Sequence, residues 1–412
     1  MKMEKLGDAY LFRLPEAQLE IELANLTESR DAINAELTLA LDGNLLHHSR
    51  HNLQSVTTRN QLIKALTEKV QSLDWSETLE QVFYMAIQSY RTGEPTIDLR
   101  QYTPEGKPRW LCFPYVEHGG PTILFGDGGV GKSLLALAIC YTVASGDNLL
   151  GTLWGKAVPV LYLDWETGPE THWRRLKAIC DSRFAEVPPI HYRRMVTSLP
   201  EAAGTIRREV DRLHAGLVAL DSLGPAGAGI GEPEASGTAL TVFNAMRSFN
   251  VPCLGTHHVS HAGMSTNRGK PFGSVYYSNL ARLTWEIETV RQEGEDEITV
   301  AFVNRKVNYG KLLKRHALRI AFHNNDTEEL EGIHFETVAI KDVPELEDKV
   351  PLGQRILSRL REGPWTQHDL AEELGVTENQ IRARTSELKR KGMILRLPDS
   401  RWGAVEHREE RA

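Results

Sequence analysis

The sequence predicts an α/β core built on a mostly parallel sheet with an antiparallel extension at one edge. A small α+β segment precedes it, and a short helical segment closed by a hairpin follows. Two observations carry that expectation. From about residue 96 to 340, short β-branched or apolar runs alternate with helical runs, as in a parallel sheet whose strands are joined by helices. Within that stretch, Gly126-Asp127-Gly128-Gly129-Val130-Gly131-Lys132-Ser133 fits G-x-x-x-x-G-K-[ST] at every fixed position, between an apolar strand and an apolar helix entered by Leu134.

A chain of 412 residues is long enough for two or three domains. With 41% hydrophobic and 25% charged residues, a disordered, collagen-like or coiled-coil chain is not expected. The four cysteines, at 112, 140, 180 and 253, form no CxxC pair, so neither a disulfide framework nor a zinc ribbon is indicated. Neither a signal-peptide-like start nor an apolar run of the ~20 residues a membrane span needs is visible, and the expected setting is soluble and cytoplasmic. The net charge of -7 argues against a uniformly basic surface but leaves room for local basic patches.

In chain order, residues 1–95 read as the small α+β domain. Leu19–Leu23 and Ala35–Leu41 alternate apolar and polar residues as half-buried strands do, and Asp42-Gly43 signals a turn. Helices follow over about 56–71 and around Leu79, Val82, Phe83, Ala86 and Tyr90, which share one face. His47, His48 and His51 have no acidic or cysteine partner at ligand spacing and read as strand histidines rather than metal ligands. Residues 96–340 are the α/β domain, with strands Thr122–Phe125, Val158–Asp164, Leu217–Asp221 and Pro252–His257 and helices over about 132–145, 169–182, 205–214 and 235–248. After Arg282 the pattern becomes three or four strands without helices. The charged stretch 341–348 reads as a linker. Residues 350–412 form the last domain, with helices over about 366–374 and 377–391 and a hairpin from Met393 to Val405.

The glycine loop implies phosphate chemistry. Its backbone N–H groups and the helix N-terminus suit phosphate oxygens. Lys132 reaches the β- and γ-phosphates, and the Ser133 hydroxyl holds Mg²⁺. Hydrolysis also needs a carboxylate on the metal shell and a group that orients the attacking water. Leu217-Val218-Ala219-Leu220-Asp221 is a Walker B pattern that supplies the first as Asp221. Leu161-Tyr162-Leu163-Asp164-Trp165-Glu166 supplies the second as Glu166, whose plainer reading is an acid at a helix N-terminus.

This order of phosphate loop, Asp-x-Glu, Walker B aspartate and a strand with a polar end resembles the RecA-like ATPases. Over roughly residues 110 to 325 it looks most like the RepA-type hexameric replicative helicases of plasmids and phages, and it is similar more distantly to DnaB and RecA. The resemblance implies an ATP-hydrolysing motor using ATP and Mg²⁺, a homo-hexameric ring, and single-stranded DNA as partner. It makes Glu166 the catalytic base and Thr256-His257-His258 the γ-phosphate sensor, with His257 the named candidate. From the residues alone, His257 and His258 are equally a metal pair with His261. The run Val303–Gly310 resembles the motif that reaches a neighbouring subunit's nucleotide, with Lys306 the first cation, then Arg305 and Arg282; the plain alternative is a solvated basic strand end.

Loops 224–237 and 260–273 would face the channel of such a ring, the second carrying Arg268 and Lys270 for phosphate contacts. The C-terminal helix-turn-helix-hairpin resembles a winged helix. Residues 377 to 405 hold seven basic residues, Arg382 and Arg384 among them, against Glu378, Glu387 and Asp399, a local charge of +4. Such a module binds duplex DNA, RNA or a protein. Two other functions fit the same chemistry: a recombinase that forms filaments, and an ATP-switched DNA-binding replication regulator.

Overall fold

The computed structural model describes all residues except 7, 8, 31, 94, 95, 104, 105, 107, 108, 230, 233, 234, 259–274, 291–295 and 406–412. The chain divides into two compact units. The first comprises Met1–Glu288, Phe302–Lys314 and Ala321–Phe335; the second comprises Thr289–Ala301, Arg315–Ile320 and Glu336–Ala412.

The first unit opens with an antiparallel sheet of β1 (Lys2–Leu6), β2 (Ala9–Leu14), β3 (Leu19–Ser29), β4 (Ala32–Leu41) and β5 (Asn44–Asn52), paired in chain order. Leu19, Ile21 and Leu23 of β3 point into the core at period two. Two helices, α1 (Val56–Lys69) and α2 (Trp75–Thr92), cover that face. Asp74 starts α2 by accepting the Glu77 N–H at 3.0 Å, and Leu79, Val82, Phe83 and Ala86 are its buried stripe. Two strands were expected here and five are present. The extra ones are edge or near-edge strands whose outer residues are charged or polar, which blurs the alternation.

Next come β6 (Trp110–Phe113), β7 (Val116–Glu117), β8 (Thr122–Gly126), α3 (Lys132–Ser145), β9 (Thr152–Leu153), β10 (Val160–Asp164), α4 (Pro169–Ser182), β11 (Ile190–Arg194), α5 (Leu199–Leu213), β12 (Leu217–Asp221), α6 (Leu223–Ala226), α7 (Ser236–Ser248), β13 (Cys253–His258), α8 (Val275–Leu280), β14 (Leu283–Val290), β15 (Glu297–Val307), β16 (His316–Asn324) and β17 (Leu330–Val338). The main sheet runs β11-β10-β12-β13-β8-β14-β15-β16-β17. Strands β11 to β14 are parallel. The connections between β14, β15, β16 and β17 are too short for the crossover that parallel neighbours require, so these last strands form an antiparallel meander.

β8, β10 and β12 are buried along their full length, as expected of strands covered on both faces. Ile123, Phe125, Leu161, Leu163, Val218 and Leu220 pack with Ile206 and Val210 of α5 and Val242, Phe243 and Met246 of α7. The residues between them point to the other face, where α3, apolar all round, lies. Gly126, Asp164, Asp221 and His258 therefore emerge together at the C-terminal edge of the sheet, where open α/β sheets bind ligands.

Some expectations change in detail. β11 was missed because Ile-His-Tyr-Arg-Arg is polar, as an edge strand with one partner tolerates. α5 starts at Leu199 rather than near 205, opened by a capping box of Ser198 with Glu201. The small sheet β7-β6-β9 was missed because its strands are two to four residues long.

In the second unit the stretch expected as a linker is ordered helical turn: Ile340–Asp342 and α9 (Pro344–Glu347). Val343 and Leu346 are buried against Ala301 and Ala317, and Glu347 pairs with Arg359 at 3.0 Å. α10 (Leu352–Glu362), α11 (Gln367–Glu373) and α12 (Glu378–Arg390) then pack on a hairpin of β18 (Ile394–Arg396) and β19 (Trp402–Ala404). Thr377 and Gln380 close a capping box at the start of α12. Among the described residues no helix is long and apolar enough to cross a membrane.

Candidate active site at the phosphate loop

The loop between β8 and α3 is shaped by glycine. Gly131 caps α3 at φ 89°, a left-handed conformation that costs an L residue energy. A Cβ on Gly126 would stand 2.7 Å from the Ile287 carbonyl oxygen of β14, so the loop leaves the sheet where no side chain fits. Asp127, Gly128 and Gly129 are exposed and open to an incoming ligand, and Ser133 is half-buried at the start of α3. Val130 and Leu134 turn their side chains into the interior. Leu134 was expected among the nucleotide-binding residues; only its backbone N–H is available for that, because the side chain is core.

Lys132 is buried, and its Nζ donates to the carbonyl oxygens of Gly126 at 3.0 Å and Asp127 at 2.6 Å. Burial pulls its pKa below the ordinary lysine value, against the opposing charges of Glu166, Asp221 and Asp127. The ammonium is held by carbonyl oxygens, weak acceptors that a phosphate oxygen can replace.

Asp221, in register with Asp164 on the neighbouring strand, is buried. It accepts the Tyr162 hydroxyl at 2.9 Å on one oxygen and the Thr256 hydroxyl at 2.6 Å on the other. Each oxygen keeps a lone pair. Glu166 lies just past β10. Its carboxylate accepts the Ser222 hydroxyl, and His258 Nε2 is 3.7 Å from the same oxygen. Neither Ser222 nor Tyr162 was singled out from the sequence; the only signal for Ser222 is that it follows the Walker B aspartate.

The histidine beside Glu166 is His258, not His257. His257 is buried on the opposite side of the strand, its ring 4.5 Å from that of Tyr277. Successive residues of a strand face opposite ways, so the expectation that named His257 is one residue out of register. His261, the third member of the alternative metal set, lies outside the described residues, and the two neighbouring histidines diverge.

Two of the three cations expected to act on a neighbour's nucleotide, Arg282 and Lys306, lie at the other end of the sheet. The Arg282 N–H donates to the Pro121 carbonyl at 2.9 Å, at the start of β8, which places it about 16 Å from Gly126 at roughly 3.3 Å per residue. Lys306 does not project: its Nζ donates to the carbonyl oxygens of Ser278 at 3.0 Å, Asn279 at 2.6 Å and Ala281 at 2.7 Å, at the end of α8. Arg305 is tied to Glu286, with Glu288 at 3.7 Å. Arg282 has no ion pair among the described residues. Lys306→Ala is expected to lower the melting temperature and speed hydrogen exchange across residues 278–281, at a cost of about 1.5–3 kcal/mol for hydrogen bonds from a charged donor. Lost turnover at unchanged stability would instead make Lys306 a catalytic cation.

Asp164, His172 and Asp221 bring one ligand atom each within 4.8 Å of one another. The donors around them do not suit a metal within that cluster. Asp164 already takes two backbone N–H groups and two hydroxyls, and His172 Nε2 faces it at 3.2 Å. A hydroxyl at Ser133 with the remaining lone pairs of Asp221 is the oxygen set that suits Mg²⁺, which keeps several of its waters.

Of the residues expected to meet nucleic acid, Arg268 and Lys270 lie outside the described residues. Arg382 and Arg384 are exposed on α12, and Arg384 is paired with Glu387 at 2.9 Å. Lys391 and Arg401 are likewise paired, with Glu387 and Asp399, so the +4 of this segment is carried unevenly.

Residues 92–264, which contain the phosphate loop, Glu166 and Asp221, match the family model described as AAA domain. Among solved structures, the chain is similar to a KaiC-like protein of the hyperthermophilic archaeon Pyrococcus horikoshii, at 14% identity over 55% of this chain and 93% of that one, with a TM-score of 0.39. No curated protein matches the sequence.

Proposed function

We propose, from the premise that the central segment is a RecA/AAA+-like P-loop ATPase domain, that this protein is an ATP-hydrolysing motor acting as a RepA-type hexameric DNA helicase. One observation carries the reading. Lys132, Asp221 and Glu166 gather at one edge of the sheet, while Arg282 stands at the opposite edge, out of reach of its own nucleotide. An ATPase built this way is completed by a second copy placed head to tail, and such contacts form a ring where the rotation closes and a filament where it does not.

In this mechanism residues 126–133 hold the phosphates, with Lys132 leaving its carbonyl partners for the β- and γ-oxygens. Ser133 and Asp221 would hold Mg²⁺, which would supply positive charge to neutralise that developing on the phosphates. Glu166, aimed by the Ser222 hydroxyl, takes the proton of the attacking water. His258 stands beside that carboxylate, where it reports whether a γ-phosphate is present. Residues 1–95 form a collar or docking domain, 96–340 the motor and 350–412 a winged helix. Arg382 and Arg384, with the loop carrying Arg268 and Lys270, supply sequence-independent phosphate contacts.

The test is ATP turnover with Mg²⁺, with and without single-stranded DNA. Stimulation by DNA and separation of a forked duplex are expected. Stimulation with open filaments and no strand separation makes the protein a recombinase. Negligible turnover with salt-resistant binding to one duplex sequence makes it a replication regulator and removes the motor reading.

A further inference from the structure

Glu166 sits in a loop, and a loop by itself does not hold a base to the tolerance that proton transfer demands. What holds this one is the preceding acid. Asp164 ends β10 fully buried. One of its oxygens accepts the backbone N–H of Glu166 at 2.9 Å and of Thr167 at 3.1 Å. The other accepts the Thr167 hydroxyl at 2.8 Å and the Tyr192 hydroxyl at 2.9 Å, with His172 Nε2 at 3.2 Å. Backbone bonds fix the strand end itself: Trp165 N–H to the Asp221 carbonyl at 2.8 Å, and Met195 N–H to the Asp164 carbonyl at 2.8 Å. The His172 ring also lies against Tyr162, whose hydroxyl holds Asp221. Burial alone would raise the Asp164 pKa, but these hydrogen bonds outweigh it and keep the carboxyl below its ordinary value.

So many donors on one buried carboxylate is more than closing a strand requires. They come from the loop, from α4 and from β11, and they converge on the carboxylate that holds the backbone N–H groups of Glu166 and Thr167. We propose that Asp164, braced by Tyr192, Thr167 and His172, is a positioning residue that aims Glu166 at the attacking water. Asp164 touches neither substrate nor metal; it acts through Glu166. The proposal rests on Glu166 being the catalytic base.

The expected signature is a kcat effect without a binding effect. Asp164→Ala frees the loop and lowers kcat about 10- to 100-fold, as about 1 Å of misplacement does, with ATP affinity unchanged. Asp164→Asn recovers most of that loss, because its amide oxygen still accepts both backbone N–H groups. Tyr192→Phe, which removes one brace, falls between wild type and Asp164→Ala. The deciding measurement is a cycle with Glu166→Gln, since residues that act as a unit are not additive. In the Glu166→Gln background, adding Asp164→Ala is expected to leave the residual rate unchanged. Kinetics are read in the full chain, with ATP affinity followed by a fluorescent ATP analogue. Equal multiplicative losses in both backgrounds, or a loss in affinity matching the loss in kcat, overturn the proposal. If Asp164→Ala does not fold, Tyr192→Phe carries the same cycle. If Glu166→Gln turns over like wild type, the base assignment fails; if Glu166→Gln is dead and the Asp164 and Tyr192 variants are wild-type, positioning alone fails.

Discussion

Glu166→Gln is expected to reduce ATP turnover by about 10²- to 10⁴-fold, the usual contribution of a positioned general base. The substitution is nearly isosteric, and its amide oxygen still accepts the Ser222 hydroxyl. The backbone N–H remains on Asp164. What is lost is the ability to take a proton. Nucleotide binding is expected to persist or tighten, because a negative charge leaves a site meant for phosphates. Steady-state phosphate release gives the rate, and titration with a fluorescent ATP analogue gives the affinity. A variant that turns over within a few-fold of wild type would remove Glu166 from the chemistry and leave it as a helix N-terminal acid.

Arg282→Ala is expected to cost about 10³-fold in kcat, the low end of what an inserted arginine contributes to phosphoryl transfer. Its own phosphate loop lies at the far end of the strands, so the guanidinium acts on another copy or not at all. That distinction is testable by mixing. A Lys132→Ala chain has lost its own phosphate contacts but keeps Arg282; an Arg282→Ala chain has the reverse defect. Subunit exchange between two inactive variants is expected to restore turnover that neither parent shows. No recovery in a demonstrably mixed assembly would end the trans assignment. Arg282 is preferred to Lys306 and Arg305 because it has no ion pair among the described residues, whereas the other two are committed to backbone carbonyls and to Glu286.

The features legible in the sequence are those whose cause is local. The phosphate loop could be read because its glycines answer to backbone angles and close approach within a few residues, and because Lys132 and Ser133 follow them directly. The parallel core could be read because strands covered on both faces must be continuously apolar, as Leu161–Leu163 and Leu217–Leu220 are. Asp221 is legible as an acid that ends such a strand, and Glu166 as an acid two residues past the end of another.

What stayed hidden depends on contacts between distant residues. The polar edge strand β11 carries no apolar pattern, yet it brings Tyr192 to Asp164 across 28 positions of sequence. The caging of Lys306 needs α8 beside β15, 25 to 28 residues away. Whether His257 or His258 meets Glu166 turns on one residue of register, because side chains alternate between faces of a strand. The order of phosphate loop, two carboxylates and parallel sheet is written in the residues themselves. Which atoms share the sheet's C-terminal edge, and that Arg282 and Lys306 stand at the opposite end, follows from the folded sheet. Chemistry of single residues is written locally, whereas the facing of side chains is set by strand order and register over the whole sheet.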